Sequence, residues 1–152
     1  MSVPKVVELW SPCGDTAWRE TYAAAAMVRI LIFDDDLVGH PEFLSGLSES
    51  LGADLELIYR AHADDAVAEA EALRPAAILM DYSMGADHVS GARAVSNLRE
   101  RFDPSKLPIV GISSDARANE LMRMAGANNA CVKWVAPTEL PRILKPLFGA
   151  DG

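Results

Sequence analysis

Aspartates stand at 34, 35 and 36, directly after the apolar run Val28-Arg29-Ile30-Leu31-Ile32-Phe33, and Asp81 follows a second apolar run at 76–80. Three adjacent carboxylates repel one another: like charges ~4 Å apart cost about 4 kcal/mol at an effective dielectric of 20. A hard divalent cation relieves that repulsion, and Mg²⁺ takes oxygen ligands at ~2.1 Å in an octahedron while retaining several waters. Asp34, Asp35 and Asp81 supply the charge for such an ion. A solvated acidic turn would explain the triplet by itself, but a further carboxylate closing another apolar run favours metal. Asp81 fits the role of ligand, nucleophile or both, because a carboxylate can attack phosphorus to give an acyl phosphate. Such a transfer asks for charge neutralisation and in-line placement more than for covalent chemistry. Ser113-Ser114 and Lys133 close two more apolar runs. Their hydroxyl and ammonium groups suit phosphoryl oxygens as hydrogen-bond donors. Neither is telling alone, since serine is common in turns and a strand-end lysine is ordinarily solvated.

These residues work together only if the chain brings their strand ends to one place. From Val28 onward, short apolar runs at 28–33, 55–59, 76–80, 109–112 and 130–133 alternate with helix-period segments. Most runs are continuously apolar, as strands covered on both faces of a parallel sheet should be. Phe43, Leu44, Leu47 and Leu51 share one face of the first helical segment, and Ala66, Val67, Ala70 and Leu73 mark the second, which Arg74-Pro75 ends. Ala92, Val95, Leu98 and Phe102 mark the third, and Ala118, Leu121, Met122 and Ala125 the fourth, which Gly126 stops. Met122 and Met124 read as packing residues rather than as a cofactor box. Leu140, Ile143, Leu144 and Leu147 mark the last, with Thr138 as the expected N-cap, Pro141 in the first turn and Pro146 keeping the helix short. Five strand–helix pairs give an α/β fold with a parallel sheet and right-handed crossovers. In a doubly wound sheet the ligand site lies at the carboxyl ends of the strands, where strand order reverses.

Composition narrows the function. The chain has 152 residues, half of them hydrophobic, which suits one soluble domain with a real core. A net charge of −8, from 22 acidic and 14 basic residues, argues against nucleic acid and for protein partners. Two isolated cysteines, Cys13 and Cys131, the latter in a run expected to be a buried strand, fit a reducing cytosol. No His/Cys pair has metal-ligand spacing. No stretch is long enough to span a membrane and no secretory leader is evident, so a cytoplasmic location is expected. Residues 1–27 stand outside the strand–helix pattern as an N-terminal extension; Asp15 could cap a helix over 16–27. The bland reading is a loose appendage, or a true start at Met27; Trp10 and Trp18 keep open a dimerisation element and hence a homodimer.

With the runs in this order, the residues resemble the response-regulator receiver family. Val28 to Asp36 is similar to its first strand and acidic pair, and Ala77-Ile78-Leu79-Met80-Asp81-Tyr82-Ser83-Met84 to its phosphoacceptor strand. Leu107 to Ser114 resembles the strand that ends in a hydroxyl, and Gly126-Ala127 through Val132-Lys133 the fifth strand with its lysine. The resemblance covers 28–148 as the receiver domain and leaves 149–152 as a tail. It implies a flavodoxin-like sheet of order 2-1-3-4-5 with helices on both faces. It implies Mg²⁺ on Asp34, Asp35, Asp81 and the backbone carbonyl of Ser83, and phosphoryl acceptance by Asp81. Ser113 and Lys133 would contact the phosphoryl group. The expected donor is a sensor histidine kinase or a histidine phosphotransfer domain, with a downstream protein reading the state. Such a protein is no turnover enzyme; it catalyses its own phosphorylation and dephosphorylation. With no output domain after the last helix, the resemblance points to the single-domain type.

Several positions depart from the family. Gly85 stands where proline is usual, and Gly91 follows the acceptor by ten residues where the family has glycine at eight, so the loop 85–90 reads as two residues longer. His88 in that loop is expected to be solvated. Trp134 replaces the proline whose cis peptide usually follows the lysine; a non-proline cis bond costs ~2.5–4 kcal/mol, so a trans peptide with Lys133 re-aimed is expected. Ala130 replaces the usual switch aromatic, and Trp134 is the candidate to take over part of that surface. These changes support a second reading, a pseudo-receiver serving as an unphosphorylated scaffold. A third is an enzyme: Phe33-Asp34-Asp35-Asp36-Leu37 superficially resembles a haloacid-dehalogenase phosphatase motif, with Asp34 as nucleophile and Asp36 as acid–base. It lacks the threonine, having Val38, and it lacks a late acidic pair and a cap.

Overall fold

The computed structural model describes residues 27–148. The extension expected before Met27 and the tail 149–152 lie outside the described residues, as do the helix over 16–27 and Cys13. Five strands, β1 (Val28–Phe33), β2 (Leu55–Arg60), β3 (Ala77–Met80), β4 (Ile109–Ser113) and β5 (Asn129–Val132), pair in parallel in the order β2-β1-β3-β4-β5. Each agrees with its sequence-derived run to within a residue at either end. The α-helices are α1 (Leu47–Leu51), α2 (Ala66–Leu73), α3 (Gly91–Arg99), α4 (Ala116–Ala125) and α5 (Ala136–Phe148).

Alternation along the strands sends side chains to two cores. Leu31, Phe33, Ile78 and Met80 pack under α2, α3 and α4 through Ala66, Ala70, Ala94, Val95, Leu98 and Met122. Ile30, Ile32, Leu79, Val110 and Ile112 pack under α1 and α5 through Leu47, Ala136, Leu140 and Leu144. With both faces covered, Ile30–Phe33 of β1, Ala77–Met80 of β3 and Ile109–Ile112 of β4 are buried, and for that reason these stretches carry no polar side chain. Among the described residues β5 pairs only with β4, and it is half-buried along its length. Cys131, expected in a buried strand, is therefore half-buried too, and its thiol is pushed up to about 11, by burial first and by Glu139 second.

The helix ends follow local chemistry. Arg74 takes a left-handed conformation after α2, Gly126 (φ 124°) stops α4, and the Ser90 hydroxyl accepts from Arg93 N to cap α3. Two helical expectations need correction. The first helical segment is two 3₁₀ turns, Leu37–Gly39 and Pro41–Leu44, followed by the short α1. Pro41 and the glycines at 39 and 46 interrupt it, though Leu37, Leu44 and Leu47 still reach the core. The last helix starts before Thr138, at Ala136 after the 3₁₀ turn Lys133–Val135, and runs 13 residues through Pro141 and Pro146. An interior proline costs ~3 kcal/mol, and full burial of a leucine returns roughly 1.5–3. Ala136, Leu140 and Leu144 are each 0 % exposed, so packing outweighs local propensity.

Candidate functional site

β1 sends the chain outward to β2 on one side, and β3 then lies on the other side of β1. The order reverses between β1 and β3, which opens a crevice at their carboxyl ends. The ladder continues to the crevice floor: Asp34 N donates to Arg60 O (2.9 Å) and Asp81 N to Phe33 O (2.9 Å). Asp34 and Asp81 are thereby fixed side by side.

Asp34 is fully buried. Its Oδ1 accepts from Asp36 N (2.8 Å) and Leu37 N (3.0 Å), starting the 3₁₀ turn at Leu37. Its Oδ2 forms an ion pair with Lys133 Nζ at 2.9 Å, and this buried oxygen has no other polar partner. Lys133 Nζ also lies 3.6 Å from Asp81 Oδ2. Lys133 therefore reaches past β4 to both β3 and β1, and it is 8 % exposed. Burial alone would depress its pKa, but the carboxylates of Asp34, Asp81 and Asp36 override that and hold it above the ordinary lysine range. The Lys133–Trp134 peptide is trans, as expected, but Lys133 is not re-aimed. The 3₁₀ turn Lys133–Val135 keeps the lysine inward and leaves Trp134 70 % exposed.

One carboxylate oxygen from each of Asp34, Asp35 and Asp81 lies within 4.8 Å of the others. In an octahedron with ~2.1 Å bonds, neighbouring oxygens are about 3.0 Å apart and opposite ones about 4.2 Å. The cluster is thus close to ligating geometry. The donors are all hard oxygens, and one is a buried oxygen paired only with Lys133; these residues fit Mg²⁺. Asp81 shows the cost of their crowding. Its carboxyl is pushed up to about 6, first by burial and then by Asp34, against an opposing effect of Lys133. Ser83, two residues beyond Asp81, lies in the exposed loop, and Asp36 is exposed.

Ser113 ends β4 beside β3, is 5 % exposed, and accepts from Asp115 N through Oγ (3.1 Å). A residue missed from sequence holds it there. Asn119 on α4, 7 % exposed, accepts from Ser113 N (3.0 Å) and donates to Ser113 O (3.1 Å) and Cys131 O (3.0 Å). The amide stitches the ends of β4 and β5 together. A Cβ placed on Gly111 would lie 3.3 Å from Ala130 Cβ and 3.4 Å from Asn119 Oδ1, so small residues at 111 and 130 pack around that amide. The sequence signal was a polar residue adjoining the apolar stripe of α4, where asparagine is a poor helix former.

The loop after β3 returns to Asp81 at Gly91, whose N donates to Tyr82 O (2.7 Å). An added Cβ there would overlap the Asp81 carbonyl oxygen and lie 2.9 Å from Met122 Sδ. Gly91→Ala is therefore expected to cost about 3 kcal/mol or more, as overpacking against backbone does, and to displace Asp81. Urea unfolding with m held constant measures the first effect and acetyl-phosphate labelling the second.

No family model matches the chain, and no curated protein matches it significantly. Solved structures do. A receiver domain of a Pseudomonas aeruginosa sensor histidine kinase, with magnesium coordinated in its active-site cleft, is 29% identical over 82% of this chain and 99% of that one, with a TM-score of 0.65. A two-component response regulator/GGDEF domain protein is 26% identical over 81% of this chain and 50% of that one (TM-score 0.67). The BeF₃-activated receiver domain of Klebsiella pneumoniae RstA, at 20% identity, covers 80% and 98% (TM-score 0.66) and shares the fold. With the β1–β3 crevice lined as described and these structures as its neighbours, the chain carries a receiver domain of the response-regulator type.

Proposed function

We propose that this domain accepts a phosphoryl group on Asp81 with Mg²⁺ held by Asp34, Asp35, Asp81 and the Ser83 carbonyl, and that the modification alters protein–protein contacts. The supporting observation is the convergence of three carboxylates and the Lys133 ammonium at the ends of β1, β3 and β5. A bound divalent ion would neutralise the carboxylates and the incoming phosphoryl charge. Asp81 is the nucleophile: one of its oxygens forms the new O–P bond as the bond to the donor's leaving group breaks, and the pair in that bond leaves with the donor. Asp34, locked by two backbone N–H groups, does not compete. Lys133 stabilises charge on a phosphoryl oxygen, and Ser113 donates from its hydroxyl. The protein is no turnover enzyme on this reading; it only forms and hydrolyses its own acyl phosphate.

The donor is a sensor histidine kinase or a histidine phosphotransfer domain, and a separate protein reads the state. The setting is cytoplasmic; no described helix is long and apolar enough to cross a membrane. Trp134 and Ala130 belong to the surface that is read. Incubation with acetyl phosphate and Mg²⁺ is expected to add one phosphoryl mass to the wild type, and none after chelation or in Asp81→Asn. A wild type left unmodified by both acetyl phosphate and a cognate kinase would sink the reading. The scaffold alternative draws on a specific observation: the Asn119 amide ties Ser113 to β5, where Ala130 leaves no aromatic to swing. A phosphatase with Asp34 as nucleophile is disfavoured, because that side chain is buried against Lys133.

A further inference from the structure

His88, expected to be solvated, is instead tied to the loop after β2. Asp64 in that loop accepts from Val89 N through Oδ1 (3.0 Å), and its Oδ2 lies 2.6 Å from His88 Nδ1 and 3.6 Å from His62 Nδ1. The two imidazoles stack with centroids 4.1 Å apart and 6° between planes. The Nδ1 atom of His62 is closed off from solvent and has no hydrogen-bond partner. Buried Ala63 anchors the segment between the two ligand candidates. One nitrogen from each ring and a carboxylate oxygen of Asp64 thus lie within 4.8 Å of one another, from the loops after β2 and β3.

We propose that His62, Asp64 and His88 form a second cation site, for a borderline divalent transition metal of the Zn²⁺ class. Imidazole nitrogen suits such ions, while Mg²⁺ prefers all-oxygen sets, so the two sites sort ions by ligand type. Tetrahedral bonds of ~2.0–2.1 Å place neighbouring donors about 3.3–3.4 Å apart, and the observed 2.6 and 3.6 Å straddle that edge. A metal lies in the plane of each imidazole it binds, so binding splays the stacked rings. Side-chain exposures of 42 % and 34 % leave His62 and His88 room to turn. Three protein donors leave a fourth position for water or a partner's side chain. The bound ion clasps the loop after β2 to the long loop after β3.

The site is independent of phosphorylation at Asp81, and so is its test. Zn²⁺ is titrated calorimetrically into the full chain in saturating Mg²⁺, with Cys13→Ser to remove a competing thiol. One equivalent is expected to bind, weakened about tenfold or more in His62→Ala and in His88→Ala, and unchanged in His40→Ala and Asp34→Asn. Co²⁺ in place of Zn²⁺ is expected to give a visible absorption band that His88→Ala abolishes and His88→Cys shifts. No zinc binding, binding indifferent to both His62 and His88, or binding lost in Asp34→Asn but kept in His88→Ala would each overturn the site. Far-UV circular dichroism of the variants excludes misfolding as the cause of a loss.

Discussion

In metal-free buffer at pH 7.5, Asp81→Asn is expected to melt at a higher temperature than the wild type, although it accepts no phosphoryl group. The Asp81 carboxyl is raised from its ordinary 3.8 to about 6, by burial first and by Asp34 next. The unfolded chain has no such perturbation. The stability this group contributes is therefore fully present below pH ~4 and is lost as pH rises through ~6. The loss at pH 7.5 is on the order of 3 kcal/mol. Asparagine keeps the shape, carries no charge, and is free of that penalty. For a chain of this size each kcal/mol moves Tm by roughly 2–4 °C, so a gain of about 6–12 °C is the upper expectation. The gap should close below about pH 3, where Asp81 is protonated in both states. It should narrow at pH 7.5 when Mg²⁺ is added, because an ion that binds the folded wild type stabilises it by mass action. Thermal unfolding at the two pH values, with EDTA and with Mg²⁺, measures all three. A wild type as stable as Asp81→Asn at pH 7.5 without metal would show that the carboxylates are not crowded.

That cost explains why the acidic cluster was legible in the sequence at all. Nothing in folding selects carboxylates at the ends of β1 and β3, so their presence beside fully apolar strands signals function. The strands were legible for the opposite reason: Ile30 to Phe33 and Ala77 to Met80 are 0 % exposed, and their composition leaves no alternative to a sheet covered on both sides. Legibility failed where a tertiary partner decides. The run through Pro141 and Pro146 is helical because Leu140 and Leu144 are gripped by the core, and a local rule about proline cannot include that grip. Lys133 points inward without the proline that usually follows because the 3₁₀ turn Lys133–Val135 leads straight into α5. Asn119 acts through Ser113 and Cys131, six and twelve residues away in sequence, and its partners emerge only once β4 and β5 are paired. Gly91 shows how far spacing can be trusted. A Cβ at Gly91 would meet the Asp81 carbonyl, a close approach to the backbone that a count of residues along the chain does not contain.

Lys133→Met should produce the opposite imbalance. Methionine preserves much of the buried stem but removes the ammonium 2.9 Å from Asp34 and 3.6 Å from Asp81. Breaking one side of a buried ion pair costs about 3–5 kcal/mol, because the remaining charge is left uncompensated. Here Asp34 is fully buried, and its Oδ2 has no hydrogen bond to fall back on. Lys133 also pulls the Asp81 pKa down; without it that carboxyl binds its proton more tightly still. The stability deficit of Lys133→Met should therefore be largest above pH 6 and shrink on acidification, as Asp81 takes up a proton. Mg²⁺ should restore part of it, since a divalent ion replaces the missing charge on the same carboxylates. Phosphoryl acceptance should not recover in step: a preorganised donor to developing charge is worth roughly 10²–10³ in rate, and an ion already required by the wild type cannot supply it twice. Urea unfolding with and without Mg²⁺, run beside acetyl-phosphate labelling rates, separates the two roles. A variant that Mg²⁺ returns to both wild-type stability and wild-type labelling would make Lys133 a charge balance alone, with no part in the transfer.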